Sequence, residues 1–395
     1  MTATPTQVPD WLCPNALTAT PAIDLQKELL YVLDSGGKLH SLNLISGAEA
    51  QPARTFTPPF AKNWSLNLAG GVIYTATSQA CNRVRSAIYA ISAESGEAKQ
   101  FLAMRTYGAG IWGRAGVAVD ENGTVFAGTG DGIFKPNDDQ YPNTIVAVDG
   151  RTLQLKDYFT PKNYAYIAKK DLDMGNTTPV VFHYGRKELV SAGGKEGVLW
   201  LLDADCMGGD DHSTPLYASP LLANEKGSYY GHGFWGALST WVDAKGRRWL
   251  YAPAWGPATS NAQFRRTYGQ AQDGSVMAFQ VTGPDSHPTL TPVWQSVNMS
   301  VPTPVTIANG VVFALSDGDN VTQNDAQGRL LKSEYRATNP GGHAIIYALD
   351  AQTGKVLFSS ASTIPGFAHF SGIAVADGQV FAVTWDNTVY AFSTK

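Results

Sequence analysis

Acids, bases, imidazoles and indoles recur in this chain at positions that could support proton transfer, metal binding or ring stacking. Asp131, Asp171, Asp173 and Glu196 supply carboxylates, and Arg85, Arg114 and Lys195 supply cations. Mixed acids and bases of this kind can take a proton from a small hydroxylated substrate and hold the charge that develops. Trp64, Trp112, Trp235, Trp255 and Trp385 offer flat faces for a ring system or a sugar. His232, His343 and His369 are three of the seven histidines, and three imidazoles suit Cu or Zn. Each group also has a plainer use. Tryptophans plug channels, charges cap turns, and surface histidines are commonly just solvated.

The elements that position these residues come from a repeat. Its most legible copy is IIYALDAQTGKVLFSS from Ile345, in which an alternating strand meets a turn made by Asp350, Thr353 and Gly354 before a second strand. Degenerate copies begin at Lys38, Ala87, Thr144, Val198, Ser275 and Thr388. Each copy is preceded by two further β-rich runs around an N-G, D-G or similar turn, as in GRAGVAVDENGTVFAGT and SGIAVADGQVFAVT. A unit is therefore four strands, A to D, recurring every roughly 45–70 residues, which is the signature of propeller blades. The fold class is all-β. Residues 1–395 make a single propeller domain of about seven four-stranded blades. The last copy stops at Ser393–Lys395, one strand short, so residues near Thr6–Trp11 are expected to supply that strand and close the ring.

In such a blade the D–A and B–C connections share one face. The residues named above fall on those connections, in segments such as AGIWGRAG, KKDLDMGNTT, GGKEG and YGHGFWG. Composition narrows the partners. The net charge is −4 without a basic stripe, so nucleic acid has no electrostatic foothold. No apolar run approaches the roughly 20 residues of a membrane helix. The start, MTATPTQVPDWLCP, lacks a signal-peptide layout; a periplasmic or secreted protein is expected, its leader absent from this chain.

From Gly110 to about Asp203 the sequence resembles the quinoprotein alcohol dehydrogenases, whose propeller binds pyrroloquinoline quinone (PQQ). The matching stretches are GIWGRAGVAVDENGTVFAGTGDGIF, NTIVAVDGRTLQLKDYFTP, DLDMGNTTPVVF and GGKEGVLWLLD, and the likeness continues through GHGFWGALSTW. The resemblance implies an oxidoreductase with calcium-bound PQQ. It implies that Trp112 stacks on the quinone and that Asp131 stands at a calcium-ligand position. Asp171, with Asp173 two residues on, falls at the general base, and Lys195 reaches the quinone oxygens. Arg85, Arg114, Asn176 and Trp235 join them as cofactor-binding candidates. If so, Trp112, Asp131, Asp171 and Lys195 must converge on one pocket. The chain departs from the family at Cys81, which stands where the family has a glutamate calcium ligand, and at Lys170, where it has a tryptophan. The family also has eight blades.

Three functions stay open: a quinoprotein-like enzyme, in which Asp131 would be the metal donor, a metalloenzyme without quinone that uses His232, His343 and His369, and a non-catalytic module that binds a saccharide, peptide or protein. Among the three cysteines, Cys13 and Cys81 fall on one face of neighbouring blades and can bridge. The alternative is two unrelated thiols, with Cys206 as a small buried hydrophobe.

Overall fold

The computed structural model describes residues 12–393 except 323–324, 328, 330, 332–334 and 336–337. The protein is all-β, a seven-bladed β-propeller, and it divides into two compact units. The first unit carries blades 1 to 3. Blade 1 is Ala22–Asp24, Leu29–Leu33, Lys38–Asn43 and Glu49–Thr55, antiparallel in chain order. Blade 2 has a first strand broken into Lys62–Asn63 and Asn67–Ala69, followed by Val72–Ser78, Ala87–Ser92 and Ala98–Leu102. Blade 3 is Ala118–Val119, Thr124–Gly128, Ile145–Asp149 and Leu155–Phe159. Tyr31, Leu33, Ile73 and Ile91 form one core between blades 1 and 2, and Tyr74, Ile88, Val125 and Val146 form another between blades 2 and 3.

The second unit carries blade 4 from Phe182 onward and blades 5 to 7. Blade 4 is Val180–Tyr184, Lys187–Gly193, Leu199–Asp203 and Tyr217–Ala218. Blade 6 is Thr306–Ala308, Val311–Ser316, Ile345–Asp350 and Val356–Ser359. Blade 5 is Ser239–Val242, Arg248–Trp255, Gly274–Thr282 and Thr289–Gln295, with Gly233–Phe234 also paired to Arg248–Trp255, and it exceeds the expected four strands. Its long loop before Gly274 adds Arg266–Thr267, which pairs in parallel with Trp294–Gln295 at the outer edge. Blade 7 has three strands among the described residues, Ile373–Ala376, Gln379–Val383 and Val389–Ser393. The segment Thr6–Trp11, expected to complete it, lies outside the described residues.

The turn that made the repeat legible works as its residues dictate. Asp350 Oδ1 accepts hydrogen bonds from the backbone N–H groups of Gln352 and Thr353 and from the Thr353 hydroxyl. Asp149 repeats this with Arg151 and Thr152, and the N–H and hydroxyl bonds from Thr152 hold its carboxyl below the ordinary range. Gly354 sits at φ +74°, and a Cβ there would lie 2.6 Å from the Trp294 ring, so glycine is required twice over. The α-helix Tyr164–Lys170 was not foreseen, because seven residues are too few to show a helical period.

Candidate functional site

In the first unit, three backbone segments meet edge to edge. Gly130 N–H donates to the Gly110 carbonyl at 2.8 Å, Ala109 N–H to the Asp131 carbonyl at 2.6 Å, and Trp112 N–H to the Gly175 carbonyl at 2.8 Å. Only glycine allows this approach. A Cβ on Gly175 would lie 2.1 Å from the Gly110 carbonyl oxygen. The contacts bring Trp112, Asp131, Asp173 and Asn176 onto one patch of backbone. Their exposures differ sharply: Asp131 is exposed, Trp112 and Arg114 are half-buried, and Asp173 and Asn176 are 5% and 1% exposed. Arg85 is exposed and donates to the Arg105 carbonyl at 3.1 Å. Burial pushes the neighbouring Tyr89 phenol up to about 12, with the Arg85 guanidinium pulling the other way.

In the second unit, Asp171 and Lys195 come together. The Lys195 ammonium donates to the Asp171 carbonyl at 3.1 Å and stands 3.3 Å from its carboxylate oxygen Oδ1. Asp171 follows the last residue of the helix and adopts φ +53°, and a lysine on a carbonyl at a helix C-terminus is a normal cap. The Lys195 side chain is 6% exposed, while that of Asp171 is half-exposed. Lys195 also lies 5.7 Å over the Trp235 ring. Trp235 is buried and stacked on Trp255, with centroids 4.2 Å apart and planes 2° apart. Their indole N–H groups donate to the carbonyls of His232 and Pro302. Trp235 is thus built into the packing as one layer of a stack.

The three histidines do not assemble. His232 Nδ1 meets the Tyr230 carbonyl at 3.0 Å, and His343 Nε2 meets the Ala361 carbonyl at 3.2 Å. His369 Nδ1 lies 2.6 Å from the Asp319 carboxylate, whose side chain is fully buried. Among the described residues, no three His, Cys, Asp or Glu side chains are placed to hold a metal ion.

Cys81 is bonded to Cys13, with Cα atoms 5.4 Å apart, as the loop positions allow. Its loop is shaped for this: Gln79, Ala80, Asn82 and Arg83 all have positive φ, and Asn82 donates to Asn15 and to the Phe60 carbonyl. The disulfide decides the cofactor fit. A calcium ion takes oxygen donors, and the residue at the expected ligand position offers neither a carboxylate nor a thiolate. The residues present do not fit calcium-bound PQQ. Cys206, expected to be buried, is exposed beside a turn. Sequence reasoning also missed Asp243, a fully buried carboxylate held by Arg247 and Trp249 in the A–B turn of blade 5. The signal was DAKGRRW, an acid and a glycine closing a hairpin three residues before a tryptophan.

Residues 272–395 match the family described as outer membrane protein assembly factor BamB. No curated protein sequence matches the chain. Solved structures of the same fold include BamB from Moraxella catarrhalis, 15% identical over 97% of this chain and 84% of that one, with a TM-score of 0.54. The quinohemoprotein alcohol dehydrogenase from Comamonas testosteroni is 15% identical over 95% of this chain and 64% of its own, with a TM-score of 0.54. A europium-containing methanol dehydrogenase is 11% identical over 98% and 75%, with a TM-score of 0.60. At these identities the likeness is one of fold. The chain carries the PQQ-like β-propeller fold, which hosts dehydrogenases and an assembly factor alike.

Proposed function

We propose that this chain is a non-catalytic, protein-binding propeller of the assembly-scaffold kind, working outside the reducing cytosol. The observation that carries the reading is the Cys13–Cys81 disulfide, which occupies the position where a quinone enzyme needs a calcium ligand. The same bond suits a periplasmic or secreted protein. The match of residues 272–395 to an outer membrane protein assembly factor points the same way. The test is to incubate the purified protein with PQQ and Ca²⁺, desalt it, and record the quinone absorbance and any alcohol-dependent reduction of an artificial electron acceptor. No retained quinone and no turnover are expected. One equivalent of quinone with turnover sinks the reading.

One observation favours a second reading, an oxidoreductase acting on a small hydroxylated substrate. Asp171 keeps a half-exposed carboxylate beside a buried lysine, the arrangement of a base with a charged neighbour. On that reading Asp171→Asn lowers turnover about 10²–10⁴-fold with folding intact, and Asp173→Asn separates the two candidates. Parent-like rates in both variants remove it.

A further inference from the structure

In blade 1 the outermost strand, Glu49–Thr55, is attached differently from those of blades 2, 3, 5 and 6. Leu39 pairs with Arg54, Ser41 with Gln51 and Leu42 with Glu49, so the register slips twice, once across His40 and once just after Ser41. The matching pair slips once in blades 3, 5 and 6 and keeps its register in blade 2. Each slip leaves a residue outside the ladder and interrupts its hydrogen bonds. Glu49, Ala50, Gln51 and Pro52 are also exposed, and proline has no N–H to give to a ladder. Backbone pairing and burial therefore hold the first half of this strand only weakly.

A side chain bridges the interruption. His40 Nδ1 lies 3.0 and 3.2 Å from the two carboxylate oxygens of Glu49 on the outer strand, and Nε2 lies 3.2 Å from Asp34 Oδ2. Asp34 is anchored in the turn before Lys38–Asn43, where its Oδ1 accepts the Lys38 N–H at 2.8 Å. His40 thus ties the outer strand to a fixed turn. A neutral imidazole has one N–H, so it donates to one carboxylate and turns a lone pair toward the other. The imidazolium donates to both. The neighbouring cations are engaged elsewhere, Lys38 with the Thr55 hydroxyl and Arg54 with Gln51 and the Ala93 carbonyl. Burial of the ring pushes the His40 pKa down, but the hydrogen bonds to Asp34 and Glu49 and their charges outweigh it and raise the group above its usual value.

We propose that His40 is a pH-sensitive clasp on blade 1: with both ring nitrogens protonated it holds Glu49–Thr55 against the blade, and on losing a proton it lets the first half of that strand loosen. A histidine raised in the folded state stabilises it below the unfolded value near 6.5, and the contribution is lost as pH rises through the folded value. The strand is therefore held at about pH 6 and loosens toward about pH 8.5, within the range over which histidine switches. The clasp is confined to blade 1 and stands under either reading of the function.

The experiment measures hydrogen exchange of the full chain at about pH 6 and about pH 8.5, corrected for the intrinsic pH dependence of exchange. Protection of Glu49–Thr55 should fall about threefold across that interval, the worth of exposed ion pairs. Ala98–Leu102, the matching strand of blade 2, should keep its protection. In a proton NMR titration the His40 ring should show a midpoint above about 6.5. His40→Gln keeps a side-chain donor but does not titrate, so its outer strand should be equally protected at both pH values. Glu49→Gln, whose carboxamide pairs with either form of the ring, should lower the His40 midpoint and flatten the pH dependence. Circular dichroism checks that both variants keep the fold. Equal protection of Glu49–Thr55 at the two pH values in the parent overturns the inference. So does a His40 midpoint at or below about 6.5. An unchanged pH dependence in His40→Gln or in Glu49→Gln overturns it too, because another group then governs the strand.

Discussion

Blade 3 and blade 7 are built from the same phrase and end in opposite conditions. In blade 3 every residue of Thr124–Gly128 is buried, as are four of the five in Ile145–Asp149. In blade 7 the matching strands alternate, and Val389–Ser393 exposes Val389, Ala391 and Ser393. A strand buried on both faces gains from each side chain, whereas a half-open strand gains from every second one. The strands are comparably apolar in sequence, so among the described residues the difference comes from what packs against each one.

The largest expected effect breaks that comparison at its centre. Phe126 is fully buried in blade 3, and Phe126→Ala should cost about 3–5 kcal/mol of unfolding free energy. Phe392 is half-buried in blade 7, and Phe392→Ala should cost about 1–2 kcal/mol, because solvent already reaches one side of the ring. Urea titration of both variants measures the two costs. Equal losses would mean that blade 7 is as well covered as blade 3.

Next in size is the clip on blade 2. Cys13 and Cys81 are 68 residues apart in sequence, and replacing both by alanine should cost about 2–4 kcal/mol, mainly by releasing the unfolded chain. Thiol titration of the denatured, unreduced parent should find one thiol, that of Cys206. Hydrogen exchange sharpens the contrast: amides around Leu66 and Asn82 should lose protection in the double variant, while those of Val389–Ser393 keep theirs. Loss of protection in blade 7 alone would contradict it.

These contrasts also mark how far the residues alone could be read. The blades were legible because Asp149, Asp350 and their partners make one local hydrogen-bond pattern that needs no distant contact. The Cys13–Cys81 pair was legible as a possibility, since strand order fixes which loops share a face. The site was not. Lys195, Trp235 and His369 have the residue types of chemistry, but a helix end, a ring stack and a buried aspartate engage them. Those partners lie 24, 20 and 50 residues away, and no local pattern announces them. The extra strand Arg266–Thr267 was hidden for the same reason, because a parallel pair at an outer edge needs no alternation.

The smallest effect tests two turn acids, one in a covered blade and one in the open blade. Burial pushes the Asp243 carboxyl up, but bonds from Trp249, from the Arg247 backbone and guanidinium and from the Lys245 backbone outweigh it and hold the group down at about 2. Asp386 in blade 7 is also lowered, chiefly by the Thr384 hydroxyl, but it sits in solvent. A carboxylate whose folded pKa lies below its unfolded value near 3.9 stabilises the fold above that value. The stabilisation is lost as pH falls toward the folded value. For Asp243 that window runs from about pH 4 down to about pH 2. The parent should therefore lose stability across it, and Asp243→Asn, already weakened at pH 7, should lose less. Asp386→Asn should follow the parent, because solvent screens what its hydroxyl partner contributes. Thermal melts at half-unit pH steps compare the three. A variant at Asp386 that flattened the acid limb as much as one at Asp243 would show that the blade 7 turn is as protected as the blade 5 turn, and the contrast between covered and open blades would not extend to their turns.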